Sequence, residues 1–215
     1  MPLAVPYPLP FGIVLLAAGA SERMGQPKQL LPVRGQPMVM NAVEAALAST
    51  AWPVVVVLGA NAERIRPLLA RSPVLIAENP AWAEGMASSI RAGVSLLQQF
   101  SRSLDAALIA LCDQPAFSTS IVSRLVEAQT GAGRRIVAAR YAGRNAAPAL
   151  FPREYFGQLT SLTGEAGARA LLNQEPDRIS TIDLPELSVD LDTPAEYAAH
   201  VAGLGQCKQA STLSS

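Results

Sequence analysis

The chain has 215 residues, half of them apolar, which is enough to bury the core of one α/β domain with at most a small appended lobe. Lys plus Arg number 17 and Asp plus Glu also 17, so no net field favours nucleic acid or an anionic membrane, and any phosphate recognition must be local. The single histidine, His200, and two distant cysteines, Cys112 and Cys207, argue against a histidine relay, a disulfide framework or a cysteine-rich metal site, and suit a reducing compartment.

Residues 1–11 read as an N-terminal extension without the basic start of a signal peptide, and no apolar run nears the about 20 residues that span a bilayer, so the expected location is the cytoplasm. Residues 13–16 are short and aliphatic, as in a first strand buried on both faces of a parallel sheet. The run then breaks into a small-residue loop carrying Arg23 and Lys28. Gly19 and Gly25 permit turns that side chains forbid, while Ala17, Ala18, Ala20 and Ser21 let a ligand touch the main chain. Exposed amides there could cradle a polyphosphate beside two fixed cations. The bland alternative is a glycine-rich turn with two solvated cations. Neither the Gly-x-Gly-x-x-Gly spacing nor Gly-x-x-x-x-Gly-Lys is present, because Met24 stands where the latter needs glycine.

Further on, Pro37 suits the first position of a helix over 38–48, and 53–58, with its valine run, reads as a second buried strand. Asn61 is expected to cap a helix to residue 69, and 73–77 a third strand. Residues 88–100 have helical apolar spacing, and 104–111 form a strand ending in Cys112-Asp113-Gln114-Pro115. Ser118 is expected to cap a helix to 129. Strands over 135–141 and 147–151, short helices over 152–159 and 164–173, an edge strand over 179–182 and a helix from Pro194 to 201 complete the domain, 12–203, leaving 204–215 as a disordered tail. Strands alternating with helices imply a Rossmann-like, three-layer α/β/α fold with a mostly parallel sheet. Ligands bind beyond the carboxyl ends of such strands, which puts the Gly19 loop and Asp113 on one rim.

Asp113 either caps its turn or holds a cation; beside a cationic phosphate loop, Mg²⁺ on one or two carboxylates plus phosphate oxygens favours the second reading. Asp192 is either the N-cap of the last helix or a second carboxylate of that metal. Ser88 and Ser89 start a helix on spacing alone, and Trp82 and Met86 read as core or pocket wall.

Leu16-Ala-Ala-Gly-Ala-Ser-Glu-Arg-Met-Gly-Gln-Pro-Lys28 resembles the signature loop of nucleotidyltransferases that join an NTP to a phosphate-bearing acceptor, of the nucleotide-diphospho-sugar transferase fold type. Cys112-Asp-Gln-Pro115 and Asp190-Leu-Asp-Thr-Pro194 are similar to that family's two carboxylate segments, which implies Asp113 and Asp192 as the Mg²⁺ or Mn²⁺ ligands, with Asp190 the alternative to Asp192. The stretch from Asn79 to Gly93 resembles the segment whose serine faces the base, which makes Ser89 the candidate. Ala17-Ala18-Gly19, Pro27-Lys-Gln-Leu-Leu31 and Gly164-Glu-Ala-Gly-Ala-Arg169 resemble the molybdenum cofactor cytidylyltransferase branch of the MobA-like NTP transferases. Glu165 departs from the usual Asp, and Ala146-Ala-Pro148 from the usual Gly-x-Pro, both in the half that would hold the acceptor.

The resemblance implies transfer of CMP from CTP to molybdenum-loaded molybdopterin, with Ala17, Ala18, Gly19, Ser21, Arg23, Lys28 and Ser89 binding nucleotide and Arg23, Lys28 and Asp113 catalytic. A molybdenum hydroxylase or its maturation factor is the implied protein partner. The alternatives are a cytidylyl- or uridylyltransferase for another small phosphate and a non-catalytic cofactor-insertion chaperone.

Overall fold

The apolar runs named above assemble into one sheet. In the computed structural model, which describes residues 9–212 except 175 and 190, its seven strands are β1 (Phe11–Ala17), β4 (Val54–Leu58), β5 (Leu75–Glu78), β6 (Ala106–Leu111), β7 (Ile136–Tyr141), β8 (Arg144–Pro152) and β9 (Ile179–Asp183). A separate two-stranded ribbon pairs β2 (Pro32–Val33) with β3 (Gln36–Pro37). The sheet order is β5-β4-β1-β6-β8-β7-β9, parallel except for β8, which runs against both neighbours. Helices lie on both faces, as a sheet buried on both sides requires. On one face pack α1 (Met38–Leu47), α2 (Ala62–Leu69) and α4 (Thr119–Ala132). On the other pack α3 (Met86–Phe100), α5 (Phe156–Thr160) and α6 (Arg169–Gln174).

The register positions the site. Ala17 pairs with Leu58 and Leu16 with Leu111, so β1, β4 and β6 end together and their following loops share a rim. Helix α3 presses most closely on this part of the sheet, with Ile90, Val94 and Leu97 fully buried, each contributing roughly 1.5–3 kcal/mol before ordering costs. Its approach depends on Gly93, where a Cβ would collide with Val14 and Val57. Gly93→Ala should therefore destabilise the fold by about 1–3 kcal/mol through overpacking, and an unchanged thermal midpoint would show that the layers are looser than this geometry.

Several local expectations differ from the structure. Pro37 ends β3 and precedes α1, because Arg34 and Gly35, both at positive φ (55° and 91°), turn the chain into a hairpin that the sequence did not announce. A second such turn, Ala142-Gly143 (φ 48° and 72°), makes β7 and β8 a hairpin, extends β8 to Arg144 and reverses its direction. Ser118 makes no side-chain cap; its hydroxyl pairs with Ser120 at 3.0 Å. Asn61 does not cap α2 either, for a reason that belongs to the site below. The last helix, α7 (Pro194–Thr212), runs past the expected end at 201 and into the segment expected to be a disordered tail, whose last residues, 213–215, lie outside the described residues; no proline interrupts it.

Candidate functional site

The loop after β1 is held by its own polar side chains. Ser21, in the left-handed region (φ 61°), opens a single helical turn, Glu22–Met24, which Gly25 (φ 69°) closes, and a second turn follows at Lys28–Leu30. Ser21 Oγ accepts the Lys28 amide at 3.1 Å. Gln29, only 1% exposed, donates from Nε2 to the carbonyls of Gly19 (2.9 Å) and Ala17 (3.3 Å), and its Oε1 accepts the Ser21 hydroxyl (3.3 Å). Asn61 also donates to the Gly19 carbonyl at 3.3 Å, so it braces the loop instead of capping α2. With these carbonyls tied down, Ala18, Gly19 and Ala20 present their small surfaces to the cleft. Met24 anchors the loop from beneath, in an apolar cluster with Leu31, Val33, Met38 and Leu191.

Leu191 brings its neighbour Asp192 to the loop. Lys28 Nζ lies 2.5 Å from Asp113 Oδ2 and 2.8 Å from Asp192 Oδ1, so two carboxylates separated widely in sequence share one ammonium. Arg23, largely exposed, reaches the other oxygen of Asp192 at 2.6 Å. The cap of α7 is made by others: Glu196 Oε2 accepts the Thr193 amide (2.8 Å) and hydroxyl (2.9 Å), and the Glu196 amide donates back to Thr193 Oγ1 (3.3 Å), a capping box with Pro194 at the first helical position. Asp192 is thereby released from the capping role open to it in the sequence. Asp190 lies outside the described residues.

These contacts set the charge states. Burial alone would lower the Lys28 pKa, but Asp113 and Asp192 outweigh it and hold the ammonium above its ordinary range. The hydrogen bond from Lys28 lowers Asp192 most, partial burial opposes, and the charges of Lys28 and Arg23 add to the lowering. Burial pushes the Cys112 thiol up, with the charge of Asp113 adding to it, so Cys112 is a free, neutral wall residue. Because Asp192 titrates lower folded than unfolded, its stabilisation is present above about pH 4 and lost as pH falls further. Lys28 titrates higher when folded, so its share is present below about pH 10 and lost only above that. Neither of these two groups therefore tilts the thermal midpoint between about pH 5 and 9, and Asp192→Asn should flatten the acid limb in a melting series. An acid limb identical in the variant would remove Asp192 from that linkage.

The base side is built on α3. Asn79 donates from Nδ2 to Ser88 Oγ (2.8 Å) and Ser89 Oγ (3.0 Å), so the Ser89 hydroxyl, beside the cleft, accepts from Asn79 and keeps its own hydrogen to donate. The helix begins two residues earlier than the serines, at Met86. A cleft of about 500 Å³ lies between the loop, Lys28, Trp82, Ser89 and Asp113. A smaller cavity of about 170 Å³ adjoins it, sharing Leu16, Met86, Leu111 and Glu165 as walls. His200, in α7, lines neither.

The donor set suits a hard divalent cation. Among the described residues no three His, Cys, Asp or Glu side chains cluster as a complete metal cage. Two carboxylates do converge, and Asp113 Oδ1 is buried without a hydrogen-bond partner. Such a pair leaves the remaining coordination to phosphate oxygens and water, as Mg²⁺ and Mn²⁺ prefer.

Residues 13–179 match the model of the MobA-like NTP transferase domain. The chain belongs to the MobA-like NTP transferase family. Its relatives in that family include nicotine blue oxidoreductase of Paenarthrobacter nicotinovorans, 36% identical over 84% of this chain and 91% of the relative. Purine catabolism protein PucB of Bacillus subtilis is 29% identical over 86% of this chain and 92% of its own. Rv0371c of Mycobacterium tuberculosis, solved in complex with manganese, superposes with a TM-score of 0.71 at 26% identity, over 89% of this chain and 97% of that one.

Of the residues singled out in the sequence, Ala17, Ala18, Gly19, Ser21, Arg23, Lys28, Asp113 and Asp192 gather at the rim, and Ser89 faces the same cleft. The sequence reading missed the bracing roles of Gln29, Asn61 and Asn79. A polar residue set between Lys28 and two leucines, and an Asn just past a strand end on the site's rim, were the available signals. No helix among the described residues is long and apolar enough to cross a membrane.

Proposed function

We propose that this MobA-like transferase moves CMP from CTP to the terminal phosphate of molybdenum-loaded molybdopterin in the cytoplasm, with a molybdenum hydroxylase or its maturation factor as the client. The observation that carries the reading is Lys28 held between Asp113 and Asp192 at the lip of a glycine-rich loop, where a triphosphate and a second phosphate can meet.

The acceptor phosphate oxygen attacks the α-phosphorus, a new P–O bond forms, the bond to the β-phosphate oxygen breaks, and pyrophosphate carries away the electron pair. The nucleophile is already an anion, so the step needs charge neutralisation and in-line placement more than a base, in keeping with a lone histidine away from both cavities. Lys28 leaves the carboxylates for the α-phosphate as negative charge grows there, and the exposed Arg23 swings to the departing pyrophosphate. Ser89, aligned by Asn79, donates to the base, and the backbone of 17–21 meets the phosphates. Asp113 and Asp192 would hold Mg²⁺ or Mn²⁺, which when bound supplies neutralisation of the phosphate charge; the manganese in the Rv0371c complex supports this choice.

The name of the 36% identical relative, nicotine blue oxidoreductase, supports a second reading, an oxidoreductase activity, for which a nicotinamide cofactor is one candidate reductant. The loop's lack of the dinucleotide-binding glycine spacing weighs against it. One screen separates them: pyrophosphate release with each of the four NTPs, Mg²⁺ and molybdenum-loaded molybdopterin, alongside NADH and NADPH oxidation in the presence of a heterocycle. CTP alone should release pyrophosphate, because Ala18, packed against Gly59, gives less room at the loop than a glycine would. Equal turnover of GTP would end the cytidylyl assignment. Reductant oxidation without pyrophosphate would favour the second reading, and neither activity would leave a cofactor-insertion chaperone.

A further inference from the structure

The two cavities meet at Glu165, and its placement is forced. The Gly164 carbonyl accepts the Ala87 amide at 3.3 Å, laying this loop on the first turn of α3. A Cβ on Gly85 (φ 104°) would come within 2.8 Å of Glu165 Cδ, and one on Gly167 (φ 54°) within 2.8 Å of Met86 Sδ. Both positive φ and both close approaches demand glycine. Glu165 is the only carboxylate among the described residues that line the smaller cavity. Arg169 lines the same cavity, yet among the described residues neither side chain has a hydrogen-bond or ion-pair partner. The remaining walls are a second cation, Arg144, and flat or apolar side chains, with Tyr141, Phe151 and Met86 among them. Tyr141 is fixed by accepting from Gln114 Nε2 (2.8 Å) and donating to the Ala147 carbonyl (3.0 Å), and Gln114 adjoins Asp113.

We propose, resting on the nucleotidyltransferase reading above, that this cavity takes the fused-ring heterocycle of the acceptor and that Glu165 selects it by its donor edge. A carboxylate pairs two parallel N–H donors, as presented by the amino group and ring N–H of a 2-aminopyrimidinone edge. A ring between aromatic and thioether walls then buries its faces, the usual form of a small-molecule site. An anionic group against Glu165 would be repelled, so the acceptor's phosphate must point away from it, toward Lys28 in the adjoining cleft. Arg169 is left to face an anionic substituent on the ring's other side.

The test uses 6-hydroxymethylpterin, whose intrinsic fluorescence reports binding, and lumazine, which carries a carbonyl in place of the 2-amino donor. Wild type should bind the pterin about tenfold or more tightly than lumazine, Glu165→Gln should lose that preference, and Glu165→Asp should keep most of it. Pterin and lumazine binding equally to wild type, or an undiminished preference in Glu165→Gln, overturns the assignment. Mn²⁺-dependent CTP binding by the wild type is measured alongside. CTP binding without pterin preference removes this cavity assignment alone, whereas pterin preference without CTP binding keeps it and removes the nucleotidyltransferase reading.

Discussion

Lys28→Met is expected to lower kcat by about 10² or more with a smaller change in the KM for CTP. The ammonium is buried enough to be strong and is already charged at any working pH, since Asp113 and Asp192 together overcome its desolvation. Its two present partners are also the proposed metal ligands, so in the absence of nucleotide it competes with a cation for the same oxygens. Lys28→Met should therefore bind free Mn²⁺ more tightly than wild type even as turnover collapses, and isothermal titration with Mn²⁺ reads this directly. A variant with normal kcat would take Lys28 out of the chemistry, and one with unchanged Mn²⁺ affinity would mean that the ammonium and the metal do not share a place.

The strand-to-loop junctions were legible because chemistry and pattern coincide there. A buried aliphatic run such as 13–16 or 106–111 can be little other than a central strand, and in a parallel sheet whatever follows it reaches the same rim. That reasoning brought Lys28 and Asp113 together from sequence order alone. Asp192 was different: an Asp before Thr-Pro is as good a helix cap as a ligand, and only the Thr193–Glu196 capping box shows that the cap is made without it. The hairpins at Arg34-Gly35 and Ala142-Gly143 stayed hidden because a non-glycine residue accepts positive φ only when the paired strands impose it. Gln29, Asn61 and Asn79 act through long-range hydrogen bonds to carbonyls and hydroxyls, so only their places beside Lys28 and just past the strand ends hint at a brace, and residue type or period alone does not.

Asp113→Asn and Asp192→Asn should each abolish most turnover, by about 10² or more, and the double variant should be little worse than the worse single one. The ground is geometric: both carboxylates meet one ammonium, at 2.5 and 2.8 Å, so they form one charged centre. Loss of either carboxylate breaks the pair that would hold Mg²⁺, and the second loss removes nothing further that works by itself. The fold should survive, because both side chains stand partly exposed at the rim, away from the two apolar layers. The variants should still separate in one respect. Asp192 also holds Arg23, an exposed pair worth little on its own, so Asp192→Asn should free Arg23 and weaken any ordering of the leaving pyrophosphate. Asp113→Asn instead removes the buried oxygen that lacks a partner and should shift the Mg²⁺ requirement to higher concentration. Turnover of the three variants across a Mg²⁺ titration decides the matter. Losses that multiply, or an Asp192→Asn enzyme with ordinary metal dependence, would mean that Asp192 only restrains Lys28 and Arg23 and that the second metal position is filled by another group.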